Sequence, residues 1–162
     1  MIDLDAVVAG YRRAVRAQGM PEPTELRIDH HPAPHVSPPL PGGWGAVYLF
    51  ALCERHGTNC EAGPHRVLKV GKAGPSSGPR FQYQHYSPRS ARSNLARSLL
   101  AHRVLWPYLG IEKLDESSVA LWLKNNTDRF SIYIPASDYP AVAATLETYV
   151  RGVLGSVFEG SA

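Results

Sequence analysis

The sequence predicts an α+β fold in which a small antiparallel sheet of three strands is flanked by helices. Three short apolar segments have the residue types of strands, namely 45–52 (GAVYLFAL), 66–70 (RVLKV) and 129–135 (RFSIYIP). Segments in which apolar residues recur at helical spacing lie before, between and after them. With 162 residues, the chain has the length of one compact domain that can bury its own core.

The N-terminal part is predicted to be a helix followed by an extended arm. Residues 4–18 form an amphipathic pattern, and Asp3 precedes them as an N-cap. The segment from there to residue 43 is rich in proline, glycine and histidine, so it lacks many backbone donors and has many fixed φ values. Residues 1–43 are therefore predicted to be this helix and proline-rich arm, and residues 44–162 the main domain.

The first two strands are predicted to pair as a hairpin joined by a long loop. After Gly71 a loop rich in glycine and proline leads to a helix that starts near Arg80, and another helix is predicted over residues 93–105. Asp115 is the predicted N-cap of a short helix that ends near Asn126. The last helix follows the third strand and continues to about residue 154.

The composition excludes a membrane-spanning protein and gives no sign of export. No apolar run is long enough to cross a bilayer, and acidic residues stand where a secretory signal would be basic. Two cysteines are too few for a disulfide scaffold, so a cytoplasmic location is predicted. The net charge of +3 is by itself too small to indicate a polyanionic partner.

The basic residues are concentrated in one part of the chain. From Lys69 to Arg103 there is no aspartate or glutamate, and the basic residues there are Lys69, Lys72, Arg80, Arg89, Arg92, Arg97 and Arg103. A cluster of positive charge without acidic neighbours is typical of a surface that faces phosphates. Arg89, Arg92 and Arg97 of this cluster are predicted to bind nucleic acid, as is Gly71 within the same stretch.

Two motifs, one in each of the first two strands, carry a family resemblance. Residues 46–48 (AVY) resemble a G-[IV]-Y triplet, and residues 69–71 (KVG), which continue as KAG, resemble a Y-[IV]-G triplet and the K-A after it. These are the motifs of the GIY-YIG nuclease superfamily, which includes the catalytic domain of UvrC-type excision nucleases and stand-alone bacterial proteins. The resemblance extends over residues 45–160. It implies that residues 44–162 are a GIY-YIG-like nuclease domain.

The resemblance implies a metal-dependent endonuclease that hydrolyses DNA phosphodiester bonds. Glu147 matches the glutamate that would bind Mg²⁺ or Mn²⁺, because Mg²⁺ is satisfied by one carboxylate, several waters and substrate phosphate. Arg80 matches the family's arginine and would bind phosphate oxygens bidentately, while Lys72 would add a point charge. RNA is an alternative substrate, and a protein partner for targeting is another expectation.

The general base is predicted to be His85, because an ordinary histidine pKa of about 6.5 suits proton transfer near neutrality. Tyr48 would position the water or replace His85 as the base. Lys69 stands where the family's second motif has a tyrosine and is counted among the predicted catalytic residues, with Tyr48, Lys72, Arg80, His85 and Glu147. Ala46 stands where the first motif has glycine. Glu159 occupies the place of a family asparagine, either as a second metal contact or as a surface residue.

Three alternatives follow from the same residues. A domain with the same fold but impaired chemistry would bind nucleic acid without cutting it, as the departures at Ala46 and Lys69 suggest. A protein-interaction domain would use the proline-rich arm as a ligand for a partner groove. Finally, the residues Cys53, His56, Cys60 and His65 have the ligand types of a zinc site, although not the paired spacing that is typical of one.

Overall fold

The computed structural model describes residues 1–58, 60–92 and 94–158. Its strands are β1 (Arg27–His31), β2 (Trp44–Leu52), β3 (Val67–Ala73) and β4 (Thr127–Pro135). Its helices are α1 (Leu4–Ala17), α2 (Gly78–Tyr83), α3 (Leu95–Ala101), α4 (Val119–Asn126) and α5 (Tyr139–Leu154), with 3₁₀ turns at Glu54–Thr58, Gln84–Tyr86 and Arg103–Leu105. An antiparallel sheet is flanked by helices, which confirms the α+β class.

The sheet has four strands in the order β1-β4-β2-β3, so the predicted number of three is wrong. The added strand β1 lies in the segment that was predicted to be an extended arm, and it pairs with β4 with Ile28 opposite Ile132. Residues 27–31 contain no proline, whereas prolines on both sides prevent the strand from growing because they lack a backbone donor. The strand was not predicted because the proline-rich composition of the arm as a whole indicated an extended segment, and these five residues were not considered separately.

Strand β2 lies in the middle of the sheet, between β3 and β4. Because neighbouring side chains of a strand point to opposite faces, Tyr48 and Phe50 belong to one apolar cluster, and Val47 and Leu49 to the other. Both faces are covered, which explains why β2 is a continuous apolar run and not an alternating one. The predicted hairpin of β2 and β3 is confirmed.

Helices α1 and α5 cover one face of the sheet, and α2, α3 and α4 pack in the cluster on the other. Helix α1 begins where predicted, since an Asp3 side-chain oxygen accepts the Ala6 N–H at 2.9 Å. Helix α3 is shorter than predicted because it ends at Ala101 and a 3₁₀ turn follows, while the predicted start at Ser93 lies outside the described residues. In the part of the chain that is described, no helix combines the length and apolar character needed to cross a membrane.

Candidate active site

All the predicted catalytic residues line one cavity of about 550 Å³. They come from separate elements: Tyr48 from β2, Lys69 and Lys72 from β3, Arg80 from α2, His85 from the 3₁₀ turn after it, and Glu147 from α5. The predicted nucleic-acid-binding residues Gly71 and Arg92 also line this cavity, whereas Arg89 and Arg97 do not. Residues up to 99 positions apart in the chain thus line one cavity.

Tyr48 and His85 form a buried pair in the wall of the cavity. The Tyr48 hydroxyl lies 2.5 Å from Nε2 of His85, and the backbone N–H of Leu95 donates to Nδ1 of the same ring at 3.2 Å. Because a backbone N–H can only donate, Nδ1 is an acceptor, and in a neutral ring the proton must be on Nε2. His85 therefore donates to the oxygen of Tyr48, and the Tyr48 hydroxyl proton is free to point elsewhere.

The electrostatic environment keeps His85 neutral. Burial, reinforced by the positive charges of Arg129, Lys69 and Arg80, lowers its pKa to about 3. A ring with so weak a basicity, whose unprotonated nitrogen already accepts a backbone hydrogen bond, is poorly suited to take a proton from water. These contacts favour His85 as a hydrogen-bond donor to Tyr48, and its role as general base stays a prediction.

Gly71 has a packing role next to Tyr48 rather than a visible role in binding. The two residues are opposite each other in the β2–β3 ladder. A Cβ atom added at Gly71 would lie 2.8 Å from the Tyr48 hydroxyl oxygen and 2.9 Å from its Cζ, closer than such atoms can approach. The glycine of the second motif is thus required so that the Tyr48 ring fits over β3.

Glu147 contributes the acidic group of the cavity, and its side chain is 12% exposed. One carboxylate oxygen pairs with Lys72 and the other with Arg151, at 3.0 Å from Nη2. Lys72 and Arg151 thus hold the carboxylate in place at the wall of the cavity. Arg151 was not predicted from the sequence, although it stands one helical turn after Glu147.

The donor set fits a divalent cation held by one carboxylate. Glu147 is the acidic residue among the described cavity residues, and a hard cation such as Mg²⁺ accepts one protein oxygen when water and phosphate supply the others. Among the described residues, no group of three or more histidine, cysteine, aspartate or glutamate side chains is suited to hold a metal ion. The described side chains therefore do not form a metal site in which the protein supplies three or more of these ligands.

Arg80 is exposed at the mouth of the cavity and is held from one side. Its Nε donates to Oε1 of Gln84 at 2.6 Å, one helical turn later. This bond fixes the plane of the guanidinium group, and none of the described residues forms a hydrogen bond with its two terminal nitrogens. Lys69, in contrast, is buried, and burial is the main cause that lowers its pKa.

The three arginines predicted to bind nucleic acid have different surroundings. Arg97 donates to three backbone carbonyls, those of Pro88, Ser90 and Arg92, at 3.1, 2.5 and 3.3 Å. Arg97 therefore stabilises the loop that contains Arg92, which lines the cavity. Arg89 pairs on the surface with Glu116 at 3.0 Å. Of the three, Arg92 has the position expected for direct contact with a substrate in the cavity.

Two further residues of the site were missed from the sequence. Tyr139, the first residue of α5, lines the cavity, and its ring occupies the space beside Gly45, where an added Cβ would lie 2.1 Å from a ring carbon. Arg129 on β4 is completely buried beneath the cavity, next to the Tyr48 ring. An arginine at the start of a predicted strand was the available signal.

The alternative zinc site receives no support from the described residues. His56 is already engaged through Nδ1 with the Asn126 side chain at 3.0 Å and through Nε2 with the Leu109 carbonyl. Both cysteines are free thiols. No described set of three suitable ligands includes any of these residues. Glu159, the predicted second metal contact or surface residue, lies outside the described residues.

Comparisons with known proteins add no relative to this description: no family model matches the chain, and no curated protein or solved structure matches it. The resemblance to GIY-YIG nucleases therefore stays a prediction that rests on the two strand motifs, Arg80 and Glu147.

Proposed function

We propose that the protein is a metal-dependent endonuclease that hydrolyses DNA phosphodiester bonds in the cavity between β2, β3, α2 and α5. The observation that carries this proposal is the convergence of Tyr48, Arg80 and Glu147 on one cavity, together with Lys72 and Arg92. Hydrolysis of a phosphodiester requires an activated water, positive groups on the phosphate and neutralisation of the leaving oxygen. The cavity offers a residue type for each requirement.

Arg80 and Arg92 are the proposed phosphate-binding groups. Both are exposed arginines of the cavity, and a guanidinium group can bind two non-bridging oxygens of one phosphate at once. Arg80 is the better oriented of the two, since its Nε is already held by Gln84. Lys72 supplies a further positive charge near Glu147.

Tyr48 is the proposed general base, in its phenolate form. The phenolate oxygen takes a proton from a water molecule, the water oxygen forms a bond to phosphorus, and the bond from phosphorus to the leaving oxygen breaks. The leaving oxygen then takes a proton from solvent. Throughout, Nε2–H of His85 donates to the tyrosine oxygen and holds it in place.

A divalent cation bound to Glu147 would neutralise negative charge on the phosphate and the leaving group. Binding it requires that the Glu147 carboxylate be shared with, or released by, Lys72 and Arg151. Cleavage should therefore depend on added Mg²⁺ or Mn²⁺ and stop in EDTA.

The test is incubation of the purified protein with supercoiled plasmid in Mg²⁺, in Mn²⁺ and in EDTA. Glu147→Gln and Arg80→Ala should each remove cleavage, and Arg80→Lys should lose nearly as much, because lysine cannot bind two oxygens in one plane. Glu116→Gln and Arg13→Ala remove the same charges from exposed positions outside the cavity and should cut like the wild type. Folding of each variant is checked by circular dichroism.

A nucleic-acid-binding module without hydrolysis is the second candidate. The observation that favours it is that both oxygens of Glu147 are engaged by Lys72 and Arg151. In that case plasmid remains intact with every metal, yet a gel shift shows binding that weakens in Arg80→Ala and at higher salt. Protein that neither cuts nor binds DNA or RNA would contradict both candidates and favour a protein-interaction domain.

A further inference from the structure

Arg129 has surroundings that are unusual for a charged side chain. It lies on β4 and is among the largest completely buried side chains of the protein. Its guanidinium carbon is 4.3 Å from the ring centre of Phe81, 5.2 Å from that of Phe50 and 5.4 Å from that of Tyr48. The ring of Tyr86 is a fourth neighbour, at 5.9 Å. The charge is thus enclosed in a cage of aromatic rings under the cavity floor.

The hydrogen bonds of Arg129 do not neutralise its charge. Nη2 donates to the Phe81 carbonyl at 2.7 Å and Nη1 to the Tyr86 hydroxyl at 3.3 Å, both uncharged acceptors. Its Nε is buried without a hydrogen-bond partner, and none of the described carboxylates forms an ion pair with it. A buried charge that lacks a counter-ion is costly to the fold, which calls for a reason other than stability.

Two buried histidine–tyrosine pairs lie on either side of this charge. One is His85 with Tyr48, and the other is His35, whose Nε2 is 2.7 Å from the Tyr86 hydroxyl and whose Nδ1 bonds to the Thr127 carbonyl at 2.8 Å. Burial and Arg129 together lower the pKa of both histidines. Neither ring therefore offers a second cation. The phenols of Tyr48 and Tyr86 both lie beside Arg129 and can become anions.

We propose that Arg129 is a positioning residue for Tyr48: its fixed buried charge stabilises the phenolate that would activate water, and keeps His85 in the neutral form that donates to that phenolate. This inference rests on the proposed function of the cavity. Of the two tyrosines, Tyr48 is the relevant one because it lines the cavity. The hydroxyl of Tyr86 instead donates a hydrogen bond to Nε2 of His35.

Several charged groups around Tyr48 act together on its ionisation. Arg129 faces it from β4, Arg80 from α2, and Glu147 and Tyr139 from α5, with His85 bonded to its oxygen. Burial raises its pKa to about 12, and Arg129 is the largest opposing influence. Arg80 also acts on Tyr48, but it is exposed and partly screened by solvent. Arg129 is the one whose charge neither solvent nor a bound phosphate would neutralise.

The experiment measures the ionisation of residue 48 directly. A fluorinated tyrosine whose phenol ionises near neutral pH is incorporated at position 48 of the full chain, and its ¹⁹F NMR signal is followed against pH. The titration is done in the wild-type background and in Arg129→Met, Arg129→Gln and Arg129→Lys. Sucrose is added because it favours the folded state and so supports destabilised variants. Near-ultraviolet circular dichroism checks that each variant is folded.

We expect the apparent pKa of the probe to rise by at least one unit in Arg129→Met and Arg129→Gln, a tenfold loss of phenolate at a given pH. Arg129→Lys keeps the charge and should return most of this shift. An unchanged pKa in either folded neutral variant would overturn the proposal. So would failure of both neutral variants to fold in sucrose, because Arg129 would then be needed for folding itself.

The titration does not depend on cleavage, so it separates this inference from the proposed function. If plasmid is never cut but the probe shifts as expected, Arg129 controls Tyr48 and the nuclease proposal is the one that fails. If plasmid is cut, Arg129→Met should lower kcat at least tenfold while DNA affinity changes less than twofold. Because the pKa of Tyr48 is raised to about 12, wild type and variant both lie far below it, so the loss should be the same from pH 6 to pH 9. A loss of kcat in Arg129→Met without a rise in the pKa of the probe would contradict a role through the Tyr48 phenolate.

Discussion

At the scale of single residues, the site depends on how neighbours determine the state of each side chain. Tyr48 and His85 are an ordinary tyrosine and histidine in sequence, yet burial changes the basicity of both in opposite directions. His85 becomes too weak a base to take a proton from water at neutral pH, and Tyr48 too weak an acid to be ionised for most of the time. The two candidate bases therefore differ in pKa, and this difference can be measured through the pH dependence of cleavage.

The pH dependence of cleavage should identify the base. With Tyr48 as the base, the phenolate fraction increases tenfold for each pH unit below its pKa, which is raised to about 12. The logarithm of kcat should therefore rise with a slope near one from pH 6 to pH 9, and Tyr48→Phe should lower kcat by about 10²-fold or more. Single-turnover cleavage measures both. A rate independent of pH across this range would instead fit His85, whose pKa is lowered to about 3.

Gly71→Ala should disturb the site through Tyr48 alone. The new methyl group would lie 2.8 Å from the Tyr48 hydroxyl oxygen, so the ring must move and lose its bond with His85. We expect cleavage to fall at least tenfold with DNA affinity nearly unchanged. Gly74→Ala is the matched control, since its methyl group would be 3.6 Å from Tyr139, an ordinary contact. Equal rates for the two variants would contradict the packing role of Gly71.

At the scale of elements, the loop between the 3₁₀ turn at Gln84–Tyr86 and α3 presents Arg92 to the cavity. Arg92 has a φ of 68°, a left-handed backbone conformation that a non-glycine residue adopts only when its surroundings hold it there. The three hydrogen bonds from Arg97 to this loop provide that support.

Arg97→Ala should therefore weaken DNA binding through the loop. Without its anchor the loop can leave the conformation that directs Arg92, so we expect Kd for DNA to rise about three- to tenfold while kcat changes little. Arg89→Ala also removes one positive charge, from the loop itself, but leaves these bonds in place, and should have a smaller effect. Fluorescence anisotropy with a labelled duplex measures both variants at one salt concentration. An equal loss in both would mean that charge alone, and not loop support, is responsible.

The sequence predicted the elements whose pattern is local, and it missed what depends on contacts between elements. Strand β2 was predicted from its short apolar run and β4 from its strand-forming residue types. Helices α1 and α5 were predicted from apolar residues at helical spacing, together with the Asp3 cap for α1. Strand β1 was missed because a polar edge strand between prolines has almost no apolar signal. The convergence of Tyr48, Arg80 and Glu147 came from motif spacing. The burial of His85 and of Arg129 could not be predicted from the sequence, since both are buried by neighbours that are distant in the chain.

At the scale of the whole molecule, the cavity depends on both apolar clusters. Tyr48 belongs to the cluster on one face of the sheet, while α5, which carries Glu147, packs in the cluster on the other face. The site therefore exists only when both faces are assembled. Conditions that weaken the fold as a whole should remove it cooperatively.

Mild acid is such a condition, because two histidines are buried in the neutral form. The pKa of His85 is lowered to about 3 and that of His35 to about 4, whereas in the unfolded chain both are near 6.5. Below pH 6.5 the unfolded state binds protons that the folded state does not, so the free energy of unfolding decreases as pH falls. His85 alone should account for a loss of about 2 kcal/mol between pH 6.5 and pH 5.

Urea unfolding at pH 7 and pH 5 measures this loss, and a matched pair of variants assigns it. His85→Asn removes the titrating group, so its free energy of unfolding should decrease by about 2 kcal/mol less than that of the wild type over the same interval. His102→Asn removes an exposed histidine and should keep the wild-type pH dependence. If His85→Asn loses as much stability between pH 7 and pH 5 as the wild type does, then His85 already titrates normally in the folded protein. The His85 ring would then carry a proton on both nitrogens in acid. The hydrogen bond from the Leu95 N–H to Nδ1 would have to break, and the donor role of His85 was derived from that bond.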